Sequence, residues 1–216
     1  MASTTINPTR MELTRLKTRL KTATRGHKLL KDKRDELMRQ FLELVRKNRA
    51  LRTKVEAGLE AANRAMSAAS AAMSPAELSA ALLSPKQSVE LTVSTVNIMS
   101  VNTPVYGFTT RNPDPSGIYP YGFASTAGEL DDAINALSGV FSDMLELAQA
   151  EKTCQLLAQE IERTRRRVNA LEYVMIPDMQ EKIRYISMKL QENERSNTVR
   201  LMKVKDLVLN EAHDFK

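Results

Sequence analysis

Few residues in this 216-residue chain are of types that do chemistry, and they stand far apart. The two histidines, His27 and His213, lie far apart, and neither has a nearby cysteine or carboxylate cluster at metal-ligand spacing. The single cysteine, Cys154, falls on the apolar face of a helical pattern, which favours a packed side chain over a nucleophile. No G-x-x-x-x-G-K-[ST] loop and no G-x-G-x-x-G motif occurs. The sequence therefore predicts no catalytic residue, no metal ligand and no cofactor bound by this chain.

The second chemical feature is positive charge, and it is concentrated near the start of the chain. Residues 9–54 hold 16 lysines and arginines against five acidic residues, while the whole chain has a net charge of +6. Three consecutive arginines, Arg165–Arg167, form a second basic run. Such segments attract an acidic protein surface or a polyanion, but they are also typical of a solvated helix face. Charge alone leaves both interpretations open.

Two long helices must position these residues. Apolar residues recur at spacings of three and four from Leu13 to Ala72, which is the pattern of a coiled-coil seam. The seam is rich in small residues from Gly58 onward, which predicts close approach of a neighbouring element. Polar residues at three seam positions are predicted to set the register of pairing: His27, Arg34 and Asn48.

The second helical pattern has one irregularity. Met175, Met179 and Ile183 follow one another in steps of four, so the alternation of three and four is broken. Pro177 lies at the same place. We therefore expect a stutter in the seam, with a kink or slight bend near Ile176.

Between the two helical patterns the periodicity changes to alternation. Pro75 ends the first helix, and a short helix is predicted at Ala76–Leu83. The alternation that begins at Val89 predicts one strand, which continues towards Val105. After a loop at residues 112–117, a second strand is predicted from Ile118, Tyr119, Tyr121 and Phe123.

The predicted fold class is mainly α, a long intrachain antiparallel two-helix coiled coil with a small β-hairpin module between the helices. Pairing between chains stays open, but one chain already supplies two matched seams. The predicted organisation is an N-terminal coiled-coil helix at 9–73, a short helix with the hairpin module at 74–124, and a C-terminal coiled-coil helix at 125–210. Residues 1–8 and 211–216 are expected to be flexible termini.

Several motifs in both helices resemble one known family. They lie at Asn7–Lys17, Ala23–Lys33 and Asp35–Phe41 in the first helix, and at Glu151–Cys154, Thr164–Tyr173 and Ile176-Pro177 in the second. In these motifs the chain resembles the D subunit of the V-type ATPases, including the archaeal and bacterial A/V-type enzymes. Residues 61–123 carry no such motif, and we expect them to be the variable parts.

The resemblance implies a rotor shaft rather than an enzyme in its own right. The D subunit of that family is the central stalk, whose paired helix ends insert into a ring of catalytic A and B subunits. The small F subunit attaches to its side, and its base meets a socket subunit of the membrane ring. ATP would be hydrolysed or made in the A/B ring, and rotation would couple those sites to H⁺ or Na⁺ transport. Such a protein is cytoplasmic and peripheral to the membrane; we expect no membrane span, because no apolar run is long enough.

The basic residues and the resemblance together indicate two sets of contact residues. Contacts with the catalytic ring are predicted at Arg10, Met11, Arg15, Lys17, Arg19, Lys21, Arg25, Lys28, Leu201 and Val204. A dock for the F subunit or for the base of the stalk is predicted at Arg165, Arg166, Arg167 and Tyr173, together with the β-hairpin module. Two other functions stay open, a non-catalytic coiled-coil scaffold and a basic coiled coil that binds nucleic acid through phosphates. We expect no nucleic-acid partner, because no groove-reading or base-stacking motif is present.

Overall fold

The structure, a computed structural model, describes residues 7–111, 118–122, 124 and 126–214, with the backbone alone for residues 210–214. Its helices are α1 (Arg10–Ala72), α2 (Pro75–Ala81), α3 (Gly128–Ala170) and α4 (Ile176–Asp214), and its strands are β1 (Ser88–Ile98) and β2 (Val101–Arg111). A five-residue π turn, Leu171–Met175, joins α3 to α4. Two long helical stretches on either side of an antiparallel hairpin confirm the predicted mainly α fold class.

The chain forms two compact units. The helix-end unit comprises Met1–Arg34 and Arg163–Lys216, and the hairpin unit comprises Asp35–Glu162. Of the predicted flexible termini, residues 1–6 and 215–216 lie outside the described residues, as does Ser125 at the predicted start of the second helix. No helix among the described residues has an apolar stretch long enough to cross a bilayer.

In the helix-end unit, α1 pairs with α4 in antiparallel fashion. Leu16, Met179 and Ile186 are buried together, and five partly buried apolar side chains pack against them: Leu13, Leu20, Ala23, Ile183 and Leu190. An ion pair joins Arg10 to Glu194 at 2.6 Å. The helices therefore meet along the seam that the spacing of apolar residues predicts.

The same seam continues within the hairpin unit, where α1 pairs with α3. Lys47 lies 2.7 Å from Glu146, and Ala62 and Ala69 are buried. A Cβ atom at Gly58 would overlap with the side chain of Val140. The small residues of the seam thus allow close packing of the two helices, as the sequence predicts.

The π turn changes the path of the seam at the irregularity found in the sequence. The backbone N–H of Ile176 donates to the carbonyl oxygen of Leu171, five residues earlier. Ile176 is half-buried, whereas Met175 is 50% exposed. The placement of Met175 in the seam was therefore wrong, because the π turn takes up the extra residue and brings Ile176 to the seam.

The hairpin is formed by different residues from those predicted. β1 and β2 pair antiparallel from Ser88↔Arg111 to Ile98↔Val101, so the chain reverses at Met99-Ser100. The prediction of a second strand at Ile118–Phe123 was wrong, since residues 118–122 form no strand; Phe123 and the predicted loop 112–117 lie outside the described residues.

The two turn residues, Met99 and Ser100, are not the Asn-Gly or Asp-Gly pair that usually forms a two-residue hairpin turn. Met99 and Ser100 have φ values of 50° and 73°, in the left-handed region that two-residue hairpin turns require. The side chain of Asn97 holds them there, since its Oδ1 accepts from the Ser100 N–H at 3.0 Å and its Nδ2 donates to Asn102 Oδ1 at 2.8 Å. These side-chain bonds replace the Asn-Gly signal that normally marks such a turn.

The tip of the hairpin packs on the helices. Val101 is buried in one cluster with Leu37, Leu157 and Ile161. Further along β2, the backbone N–H of Tyr106 donates to Gln149 Oε1 at 3.0 Å. The hairpin therefore packs against both helices of this unit, α1 and α3.

Tyr119 and Tyr121, which were predicted to lie in a strand, instead form hydrogen bonds with residues near the start of α3. The Tyr121 hydroxyl donates to Asp131 Oδ1 at 2.6 Å, and Asn135 Nδ2 donates to the Tyr119 hydroxyl at 2.7 Å. The two rings lie 6.0 Å apart. Burial, followed by the Asp131 carboxylate, raises the pKa of Tyr121, which keeps its hydroxyl protonated as a donor.

Candidate partner-binding surfaces

The basic residues of α1 in the helix-end unit lie on both sides of the seam. Lys17, Lys21, Arg25 and Lys28 follow one another at helical spacing and form one exposed stripe, which we call the basic stripe. Arg15 and Arg19 lie on the opposite flank, and Arg15 is 3.7 Å from Glu12. The structure therefore brings most of the predicted cations to two exposed flanks of one helix, where they are available to an acidic surface.

The apolar residues predicted for ring contact are exposed. Met11, near the start of α1, is 84% exposed. On α4, exposed apolar side chains continue past Glu194, the residue that pairs with Arg10. They are Val199, Leu201, Met202, Val204, Leu207, Val208 and Leu209. An apolar surface of this extent is typical of a protein interaction site.

The residues of the predicted partner dock lie in one short stretch of the helix-end unit. Arg165, Arg166 and Arg167 are exposed on α3, between the buried residues Thr164 and Val168. Tyr173 is 72% exposed in the π turn. The two parts of the dock are thus separated by about two helical turns.

The polar seam residues lie half-buried on α1. His27 Nε2 is 3.3 Å from Glu172 Oε2 across the helix pair. In the hairpin unit, burial raises the pKa of the Cys154 thiol, and a hydrogen bond with the Asn48 side chain opposes that shift. Cys154 is thus a buried, protonated side chain, as expected. The role of His27, Arg34 and Asn48 in setting the register stays a prediction.

Sequence reasoning missed one further surface, at the base of the hairpin. A cleft of about 300 Å³ separates the hairpin from α3, and its apolar walls include Val89, Phe108, Leu137 and Phe141. The alternation of Val89 was recognised, but its pairing with β2 depends on the unexpected turn. Among the described residues, no group of three His, Cys, Asp or Glu side chains could hold a metal ion.

The surfaces described above lie largely within a stretch that matches a known family. Residues 12–206 match the ATP synthase D subunit. The chain belongs to the ATP synthase D subunit family. One relative, the V-type ATP synthase D subunit of Acetivibrio thermocellus, is 67% identical over 216 residues, covering 100% of this chain and 97% of the relative. The corresponding D subunit of Clostridioides difficile strain 630 is 61% identical with the same coverage.

The family assignment confirms the resemblance found in the motifs. The V-type ATP synthase D subunit of Clostridium botulinum strain Langeland is 57% identical over 204 residues, covering 94% of each chain. The family match also spans residues 61–123, where no motif was found. The basic stripe, the arginine run, Tyr173, Leu201 and Val204 all lie inside the matched residues, whereas Arg10 and Met11 precede them.

Proposed function

We propose that this chain is the central-stalk rotor of a rotary V-type ATPase. It couples ATP hydrolysis or synthesis in a ring of A and B subunits to H⁺ or Na⁺ transport through the membrane ring. It has no catalytic site of its own and binds no cofactor. Its partners are the A and B subunits, the F subunit and a socket subunit of the membrane ring, and it is cytoplasmic and peripheral to the membrane as part of the soluble head and central stalk.

The main support for this proposal is the exposed surface of the helix-end unit, in a chain that belongs to the D subunit family. Its two helices pack along one apolar seam, and the sides of each helix that face away from this seam are exposed. One flank carries the basic stripe, and the exposed apolar side chains of α4 extend beyond the last ion pair with α1. Such a pair presents different side chains in different directions.

A rotor must present different side chains to its surroundings in different directions. A partner that binds all conformations equally shifts none of them, so a shaft can drive three similar sites only through unequal contacts. As the shaft turns, the basic stripe would approach acidic loops of one site and leave another. Charge interactions of this kind act over roughly 8–10 Å in physiological salt, which permits sliding.

Two contact sets follow from this function. The catalytic ring meets the basic stripe together with Arg10, Met11, Arg15, Arg19, Leu201 and Val204. The arginine run and Tyr173 dock a partner subunit.

Reconstitution tests the proposal. The full chain is produced with the F, A and B subunits of its own source, and assembly, Mg-ATP hydrolysis and rotation are measured. We expect one copy for each ring of three A and three B subunits, and we expect deletion of residues 205–216 to weaken coupling. Failure of the wild-type chain to associate would refute the rotor and favour a coiled-coil scaffold.

Charge neutralisation tests the mechanism separately. The four-site variant Lys17→Gln, Lys21→Gln, Arg25→Gln and Lys28→Gln should lower torque per ATP hydrolysed while assembly is retained. The control variant replaces four exposed cations of the hairpin unit with Gln: Arg46, Arg49, Lys86 and Lys152. Unchanged torque in the stripe variant, or equal losses in both variants, would show that the basic stripe is not a coupling contact.

A further inference from the structure

The π turn inserts one residue into an otherwise regular seam of the helix-end unit. Before it, the buried or half-buried seam residues are Thr164, Val168 and Leu171; after it, they are Ile176, Met179, Ile183 and Ile186. Their spacings are four and three before the turn, five across it, and three, four and three after it. Removal of one residue between Leu171 and Ile176 would restore an unbroken heptad pattern.

The extra residue enlarges the outer surface of the helix. Four residues instead of three lie between the seam positions Leu171 and Ile176. Three of them are consecutive large apolar side chains, Tyr173, Val174 and Met175, which are 72%, 57% and 50% exposed. We call these three residues the apolar bulge. Packing within the unit does not require it, because the seam is complete without these side chains.

Charged residues of both signs surround the apolar bulge. The nearest ones are acidic and paired, Glu172 with His27 and Asp178 with Lys182, and a group of arginines lies about two helical turns before the bulge. Arg163, Arg165, Arg166 and Arg167 are all exposed on the turns of α3 that lead to it. The bond between Glu172 and His27 fixes the π turn beside α1 at the level of Lys28, the last residue of the basic stripe. The apolar bulge therefore lies at the same level of the helix pair as one end of the surface that we assign to the catalytic ring.

We infer that the apolar bulge is a docking knob, which inserts into an apolar pocket rimmed by carboxylates on the catalytic ring. Tyr, Met and Arg side chains are enriched in protein interfaces, and here they are exposed within about two helical turns of one another. Carboxylates at the rim would complement the four arginines. This inference rests on the proposed rotor function and assigns the second contact set to the catalytic ring instead of the F subunit or the base of the stalk.

Binding of the ring by the full chain tests the inference. The chain, in complex with the F subunit, is titrated onto the immobilised A/B ring. The double variant Tyr173→Ser/Met175→Gln should raise Kd by about tenfold or more, as expected for a buried aromatic anchor. The control Tyr185→Ser/Met188→Gln changes residues on α4 that are 51% and 61% exposed, and it should change Kd by less than about twofold.

A deletion separates docking from folding. Deletion of Val174 removes one knob residue and lets the π turn become α-helical, while every seam residue keeps its place. We expect an unchanged or higher Tm together with weaker ring binding. Deletion of Arg184, which lies between the seam residues Ile183 and Ile186, shifts the seam instead and should lower Tm.

The possible results distinguish the two claims. If neither double variant weakens binding, or if both weaken it equally, the docking knob is refuted while the rotor stands. If deletion of Val174 leaves Kd unchanged, the π turn has no part in docking and the inference is likewise overturned. If the wild-type chain does not bind the ring at all, the proposed function itself fails.

Discussion

Gly58 offers a sharp test of the close helix packing in the hairpin unit. Gly58→Ala adds a methyl group inside α1, where it would overlap with Val140 of α3. The exchange gains about 1 kcal/mol of helix propensity. Overpacking of this kind costs about 1–3 kcal/mol. We therefore expect the free energy of unfolding to fall by about 0–2 kcal/mol.

A matched glycine isolates the steric contribution. Gly139 lies within α3 next to Val140, and a Cβ atom there would meet nothing within 4 Å. Gly139→Ala should therefore raise the free energy of unfolding by about 1 kcal/mol. The two variants should thus differ by about 1–3 kcal/mol, which is the cost of the overlap alone.

Urea unfolding of the full chain, followed by circular dichroism, measures both values. In the double variant Gly58→Ala/Val140→Ala the new methyl group has room, so the two changes should cost less together than the sum of the single changes. Equal stabilisation by Gly58→Ala and Gly139→Ala would contradict the close approach of the helices. Strict additivity in the double variant would show that Val140 is not the side chain that meets the new methyl group.

Three smaller effects follow from the connecting segments. Ser100→Gly should stabilise the protein by about 1 kcal/mol in urea unfolding, because its left-handed φ of 73° strains any side chain. Glu77→Gln should destabilise α2: the Ser74 backbone N–H and hydroxyl lower the pKa of Glu77, so the stabilisation is complete above the ordinary carboxyl pKa and disappears as pH falls through the lowered value. Unfolding curves of wild type and variant should therefore converge in acid, and a constant difference would contradict the capping box. Burial and Asp131 raise the pKa of Tyr121, so its stabilisation is present below the ordinary tyrosine pKa and is lost as pH rises through the raised value. In an absorbance titration, Tyr121→Phe should remove the last tyrosine to ionise, and loss of an earlier step would refute the assignment.

The helices could be predicted because one physical requirement repeats along them. Most seam positions are apolar or small, which allows them to be buried, and the positions recur at a fixed spacing. Val55, Ala62 and Ala69 are buried where that spacing places them. The ends of α1, at Arg10 and Ala72, lie one residue inside the predicted range. A long helix repeats this spacing many times, so its course can be predicted even where single positions depart from the pattern.

The hairpin turn could not be predicted, because it depends on one local set of side-chain bonds. The segment Ile98-Met-Ser-Val101 contains no glycine, proline, asparagine or aspartate, and Ser100 alone is a weak turn signal. The alternation of apolar residues shifts by one residue between Ile98 and Val101, but it also shifts between Val93 and Val96, where β1 is continuous, so the shift does not locate the turn. Only the bonds of Asn97 to Ser100 and Asn102 show where the chain reverses. Tyr119 and Tyr121 therefore do not belong to the hairpin and instead form hydrogen bonds near the start of α3.

The seam irregularity was visible in the sequence, but its structural form was not. An extra residue in a heptad pattern can be absorbed by local unwinding of the supercoil, which would bury Met175, or by a π turn, which buries part of Ile176 instead. Met175 and Ile176 are both large and apolar, so a preference for burial does not choose between them. The choice decides whether Met175 joins Tyr173 and Val174 on the surface. The candidate docking knob therefore depends on a backbone hydrogen bond, from Ile176 to Leu171, that the side-chain pattern alone does not specify.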